Sequence, residues 1–186
     1  MAKLIYGMLC SLDGFIEDSG GKFDWAAPDA EVHQFFNDLV RSAGAFLYGR
    51  RMYETMSIWE TDASFASHSA VAADFAQIWQ AAEKIVYSRT LRSVATRRTR
   101  IEPTFDPEAV RQLKASSAGD LFIGGAELAS TAFEAGLIDE VHLILSPISV
   151  GSGKRCLPTN LRLRLELEDE RRFDSGMVYL RYRTQP

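Results

Sequence analysis

The stretch Leu121-Phe122-Ile123-Gly124-Gly125-Ala126-Glu127-Leu128 constrains this chain more than any other. Three bulky apolar residues run directly into two glycines, the pattern of a buried strand that ends in a tight turn. From Ala126 to Ala135 the spacing becomes helical, with Leu128, Ala132 and Phe133 on one side. A strand that passes into a helix through glycine leaves free backbone N–H groups at the helix N-terminus, and the helix dipole adds partial positive charge there. Phosphate is the natural guest of such an end. Gly124 and Gly125 have no side chain to hold it away from the backbone.

The same layout recurs upstream. Ala45-Phe46-Leu47-Tyr48 reads as a strand, Gly49-Arg50-Arg51 as its turn, and Met52 to Trp59 as the helix that follows. Lys84 to Tyr87 is a third strand, ending in Ser88-Arg89-Thr90. In a parallel sheet these ends lie along one edge, and ligands of open α/β sheets bind beyond the carboxyl ends of the strands. The planar guanidinium fork suits phosphate, and serine and threonine hydroxyls add donors. Together the three ends predict a ligand with several phosphates, such as a dinucleotide. Neither the G-x-G-x-x-G fingerprint nor the P-loop pattern is present.

The remaining segments complete an α/β alternation. Lys3 to Cys10 is a mostly apolar strand, followed by a loop dense in turn formers with Trp25 and Pro28 near its end. Asp29 to Ala43, Val71 to Ala82 and Asp106 to Ala115 read as helices; Arg97 to Glu102 and Glu140 to Leu145 read as strands. Leu161, Leu163, Leu165 and Leu167 alternate with Arg162, Arg164, Glu166 and Glu168, which predicts a strand with one buried and one wet face. Asp174-Ser175-Gly176 then signals a hairpin into a last strand, Met177 to Arg183. The expected architecture is a mixed, mostly parallel sheet with an antiparallel C-terminal hairpin, in one domain spanning 1–186.

Composition narrows the function classes. An apolar fraction of 46% supports a real core, and a net charge of 21 − 25 = −4 offers no basic field for nucleic acid or an anionic membrane. No apolar run reaches the ~18 residues of a membrane span, and no leader pattern opens the chain. A cytoplasmic domain with two reduced, buried or half-buried thiols, Cys10 and Cys156, is expected. His33, His68 and His142 lack metal spacing, so no metal is expected; His142 would point outward from its strand. Trp59, Phe75 and Trp79 read as core residues rather than a ligand box.

The motifs SLDGFI (11–16), Trp25 with Pro28-Asp29, YGRRMYE (48–54), VYSRTL (86–91), IGGAELA (123–129), GLIDEVHL (136–143) and Pro147 with GSGK (151–154) occur in this order. Together they resemble the dihydrofolate reductase family, and within it the branch related to the reductase domain of the bacterial riboflavin biosynthesis protein RibD. The resemblance covers nearly the whole chain. It implies a dihydrofolate-reductase-like three-layer fold, a mixed sheet of about eight strands with helices on both faces, and NADPH as cofactor. It further implies hydride reduction of a C=N or C=O group in a small pterin-like or aminopyrimidine-like heterocycle. Homodimers are frequent among such relatives.

Roles carry over residue by residue. Gly49 and Arg50 match the Gly-Arg whose arginine contacts the adenosine 2′-phosphate, with Arg51 beside it. Ser88, Arg89 and Thr90 match the segment that closes around the same phosphate. Gly124 and Gly125 match a glycine pair that the family joins by a cis peptide, and Ala126, Glu127 and Leu128 open the helix whose N-terminus holds the pyrophosphate. Met52 departs from relatives that place a threonine there. Ser11 to Gly14 open the loop that borders the nicotinamide, with Ser11 and Trp25 as candidate substrate contacts. Asp13 and Asp29 are the candidate catalytic carboxylates, and Glu31 competes with Asp29. Two rival functions follow from the same residues: an NADP(H)-binding protein without turnover, and a reductase that uses another cofactor such as a flavin. A cleft blocked by Phe15, Phe23 or Trp25 would favour the first.

Overall fold

The computed structural model describes residues 1–185. Its first half contains β1 (Leu4–Ser11), β2 (Phe15–Asp18), α1 (Ala30–Val40), β3 (Ala45–Gly49), α2 (Arg50–Met56), α3 (Ile58–Thr61), α4 (Ala63–Ala66) and α5 (Ala70–Ala81). Then follow β4 (Glu83–Tyr87), β5 (Thr99–Glu102), α6 (Pro107–Ser116), β6 (Leu121–Gly124) and α7 (Ala126–Glu134). The chain closes with β7 (Glu140–Ser146), β8 (Gly153–Arg155), β9 (Arg164–Arg172) and β10 (Val178–Gln185).

Eight strands form one sheet in the order β5-β4-β3-β6-β1-β7-β10-β9. All neighbours up to β7 pair in parallel, and β10 runs antiparallel to both β7 and β9. The central strands are apolar on both faces because helices cover both. One layer gathers Leu4, Tyr6, Leu47, Leu121 and Ile123 under Ala129, Ala132 and Phe133 of α7. The opposite layer gathers Ile5, Phe46, Tyr48 and Phe122 under Phe75, Ile78 and Trp79 of α5. The parallel pairing places the ends of β1, β3, β4 and β6 on one edge of the sheet, as their sequence requires.

Three expectations change. The segment read as a loop after β1 contains β2, which pairs with β8 in a separate two-stranded sheet. Their contact needs Gly153: a Cβ there would lie 1.9 Å from the Glu17 carbonyl oxygen. The leucine alternation yields a half-covered edge rather than a buried face. The strand begins only at Arg164, has β10 as its one neighbour, and leaves Leu167 47% exposed. His142 is buried rather than outward. Its Nε2 lies 2.8 Å from Glu140 Oε2 and its Nδ1 lies 3.1 Å from the Tyr179 hydroxyl, and the Phe122 and Tyr179 rings stand beside it. Cys10 and Cys156, distant in sequence, are both free and buried, as expected, and the Cys156 sulfur lies 3.6 Å from the Tyr6 hydroxyl.

Candidate active site

β6 delivers Gly124 to the sheet edge, and Gly125 caps α7 with φ of +91°, a backbone that side chains rarely adopt. A Cβ on Gly124 would stand 3.1 Å from the Tyr48 ring and 3.2 Å from Met52 Cε, so the turn packs closely under α2. The described residues contain no cis peptide, so the glycine pair is joined in trans, unlike the pair the resemblance implied. The N–H groups of the first turn of α7 have no helical partner by construction and face outward from the turn.

Beside this turn, Gly49 starts α2 and Arg50 is its first residue. Arg50 Nε lies 2.7 Å from Glu54 Oε1, and Arg50 Nη1 donates to Thr90 Oγ1 at 3.2 Å. The turn after β4 closes on its own hydroxyl: Ser88 Oγ accepts from the amides of Thr90 (3.3 Å) and Leu91 (3.0 Å). Arg89 is exposed on that turn. The Gly-Arg and Ser-Arg-Thr motifs therefore meet at one corner. Two ion pairs flank the mouth: Arg51 to Glu17 at 3.3 Å and Lys154 to Glu127 at 2.6 Å. The lysine holds the Glu127 carboxyl below its usual range.

A cavity of about 730 Å³ opens between these groups and the α1–α5 layer. Gly49, Arg50, Arg51, Gly124, Gly125, Ala126, Glu127 and Leu128 line one end. Phe46, Tyr48, Phe122 and Ile144 of the sheet form its floor. At the inner end stand His33 and Phe36 of α1, Trp59 of α3, Phe65 of α4, His68 of the turn after α4 and Phe75 of α5. Trp59 meets Phe65 and Phe75 edge-on, with ring centroids 4.8 and 4.7 Å apart. The His33 ring lies 5.7 Å from both Trp59 and Phe75. Burial beside these rings, aided by His68, pulls the His33 pKa below the usual 6.5.

The other candidate residues lie outside the lining. Ser11 is buried; its hydroxyl donates to Asp13 Oδ1 at 2.6 Å and accepts from the Phe15 amide at 3.0 Å. Asp13 also accepts from Ser149 Oγ (2.8 Å), the Gly151 amide (2.7 Å) and the Val150 amide (3.2 Å). These donors, Ser11 first, push its carboxyl far below the usual range. Asp13 thus ties the loop after β1 to the loop after β7. The Trp25 indole donates to the Lys22 carbonyl at 3.1 Å. Asp29 caps α1 by accepting from the Val32 amide at 2.9 Å, and Glu31 pairs with Arg171 at 2.8 Å. Phe15 is buried, and Phe23 stands on the rim, 51% exposed, so neither blocks the cavity.

Sequence reasoning missed Glu17, Asp24, His33, Trp59, Phe65, His68, Phe75 and Lys154 as lining residues. The helical spacing of Trp59 and Phe75 announced an apolar face, but a core face and a cavity wall share that spacing. Trp79 is core as expected, fully buried.

The model of the RibD C-terminal domain family matches residues 2–179 of this chain. The chain belongs to that family. It is 28% identical over 182 residues to the uncharacterized protein YyaP of Bacillus subtilis (strain 168), covering 97% of this chain and 94% of the relative. Among solved structures, it matches a Shewanella sp. PV-4 protein named for riboflavin biosynthesis, with 20% identity, a TM-score of 0.77 and both chains covered in full. A dihydrofolate reductase from Enterococcus faecalis, complexed with NADP(H), aligns with 12% identity and a TM-score of 0.67 over 99% of this chain and 97% of that one. These likenesses establish the dihydrofolate-reductase-like fold. No described helix is long and apolar enough to cross a membrane.

Proposed function

We propose that this RibD C-terminal family member is an NADPH-dependent reductase that acts on a C=N or C=O group of a small ring compound. One observation carries the reading: a single cavity of about 730 Å³ joins the glycine- and arginine-bearing strand ends to an apolar inner wall. The residues present fit the cofactor. The backbone of Gly124 and Gly125 is bare, α7 begins at the cavity wall, and Arg50 and Thr90 converge at its corner. In this reading the α7 N-terminus holds the pyrophosphate and Arg50 the 2′-phosphate. NADPH supplies the hydride when bound, and the chain supplies position and exclusion of water.

The apolar inner wall keeps solvent from the reacting carbon. Asp13 acts as an anchor, since its acceptor positions are taken by loop donors. Asp29, as the α1 cap, orients the helix that carries His33. Glu17 and Glu127 are engaged by Arg51 and Lys154, which leaves Asp24 as the lining carboxylate open to pass a proton from solvent. The unblocked cavity supports turnover over simple nucleotide storage. A homodimer through the β9 edge, where Leu167 is exposed, belongs to the same proposal; sedimentation as a monomer would remove it.

Titration with NADPH and NADH, read by cofactor fluorescence, tests the cofactor half. Arg50→Ala should weaken NADPH by about 10- to 100-fold, the worth of a hydrogen bond to a charged group, and leave NADH nearly unchanged. Equal losses for both would sink the 2′-phosphate assignment.

A further inference from the structure

The two ends of the cavity differ in charge. Every lysine and arginine in its lining, Arg50, Arg51 and Lys154, belongs to the cofactor end. Arg51 and Lys154 are already paired with Glu17 and Glu127. The inner end presents Phe36, Trp59, Phe65 and Phe75 with two imidazoles. Burial, with His68 nearby, holds His33 below its usual pKa and so favours its neutral form. His68 has Nδ1 within 2.6 Å of the Phe65 carbonyl. Asp24 is the lining carboxylate that no lysine or arginine engages.

A phosphate or carboxylate placed there would shed water without meeting a cation, and it would face a like charge. A flat neutral ring meets edges and faces of aromatic side chains, which is the geometry such rings favour. Neutral imidazole adds one donor and one acceptor, enough to orient a ring carbonyl or imine without demanding charge.

We propose that the substrate is a planar, uncharged, phosphate-free ring compound, seated against Trp59, Phe65 and Phe75 and oriented by His33. This rests on the reductase reading of the same cavity and narrows it, setting aside phosphorylated aminopyrimidines. In the reaction the C=N or C=O carbon gains the hydride, its nitrogen or oxygen gains a proton, and NADPH leaves as NADP⁺.

The test is calorimetric titration with a matched pair, 1-naphthol and 1-naphthyl phosphate, with and without saturating NADPH. The neutral ring should bind at least about tenfold more tightly than its phosphate ester. Trp59→Ala should weaken naphthol by about tenfold, in line with loss of one stacking partner, with NADPH affinity unchanged. Trp59→Phe, which keeps a ring, should stay near wild type and guards against a folding artefact. Thr55 is exposed and lines the cavity, so Thr55→Arg adds a cation with little risk to the fold and should shift the preference toward the ester. Equal binding of the pair, preference for the ester, or no binding of naphthol would overturn the proposal. Failure of NADPH to bind, with the naphthol preference intact, would sink the cofactor reading alone.

Discussion

The cofactor end and the inner end of the cavity share one sheet face but are built by different means. The end proposed for the cofactor is built from backbone. Gly49, Gly124 and Gly125 sit where strands hand over to helices, and the groups that meet there come from turns of two or three residues. At the inner end, side chains from α1, α3, α4 and α5 converge across long sequence distances, and no main-chain device is shared among them. The first kind of site tolerates little change in backbone and is indifferent to neighbouring bulk. The second tolerates backbone drift but depends on shape. In the proposed reading, that contrast separates where the cofactor and the substrate are encoded.

Five substitutions and a pH series would break or sharpen the comparison. The largest stability loss is expected from Trp79→Ala. Trp79 is fully buried, its indole donates to the Tyr48 hydroxyl at 3.2 Å, and the Lys84 ammonium lies 4.4 Å from its ring. Denaturant unfolding should show a loss of about 3–5 kcal/mol. Trp59→Ala should cost clearly less stability, because Trp59 is a half-buried wall. Similar losses at the two positions would erase the distinction between core and wall.

Gly125→Val forces a β-branched residue into φ of +91°. It should cost about 1–3 kcal/mol and disrupt NADPH binding while leaving 1-naphthol affinity in place. Joint loss of both ligands would mean that the two ends are not independent. Asp29→Ala should cost about 1 kcal/mol, the worth of a helix cap. Unchanged stability with lost turnover would instead make Asp29 a catalytic group.

The pH series addresses the histidines. Burial lowers the pKa of both His33 and His142 from the usual 6.5. Below that value the unfolded chain takes up protons that the folded chain resists. Stability is therefore full above about pH 6.5 and falls as pH drops toward the folded values. Melting scans between about pH 7.5 and pH 5.5 should show the fall, and His33→Gln should remove part of it. Glu127→Gln should have the smallest effect. The Lys154–Glu127 contact has a glutamate side chain 79% exposed, and a screened pair of this kind contributes less than about 1 kcal/mol. A larger loss would show that the ion pairs at the mouth hold the fold together.

Legibility followed the same divide. The strand–glycine–helix turns were readable because each is a local event: an apolar run, a residue free of Cβ, then a 3.6-residue period. The common edge followed from parallel pairing, whereas the strand order came only with the structure. The β2–β8 pair was hidden because the partners are far apart in sequence, and Phe15–Asp18 alone looks like one more piece of a turn-rich loop. The β9 leucines misled because alternation reports which residues share a face, not whether anything covers that face. Asp13 and Asp29 look alike in sequence. Only their partners show that one clasps two loops and the other caps a helix.

By itself, the sequence determined the α/β class, the parallel core with its antiparallel finish, and the phosphate-friendly strand ends, because these depend on periodicity and turn chemistry within a few residues. The tertiary structure decided what fills the space beyond them. Trp59 and Phe65 became a cavity wall, Phe75 a core residue that touches its lining, and Trp79 became core. An aromatic side chain carries the same burial drive in either place, and only the approach of α1 and α5 to the sheet settles whether a void remains beside it.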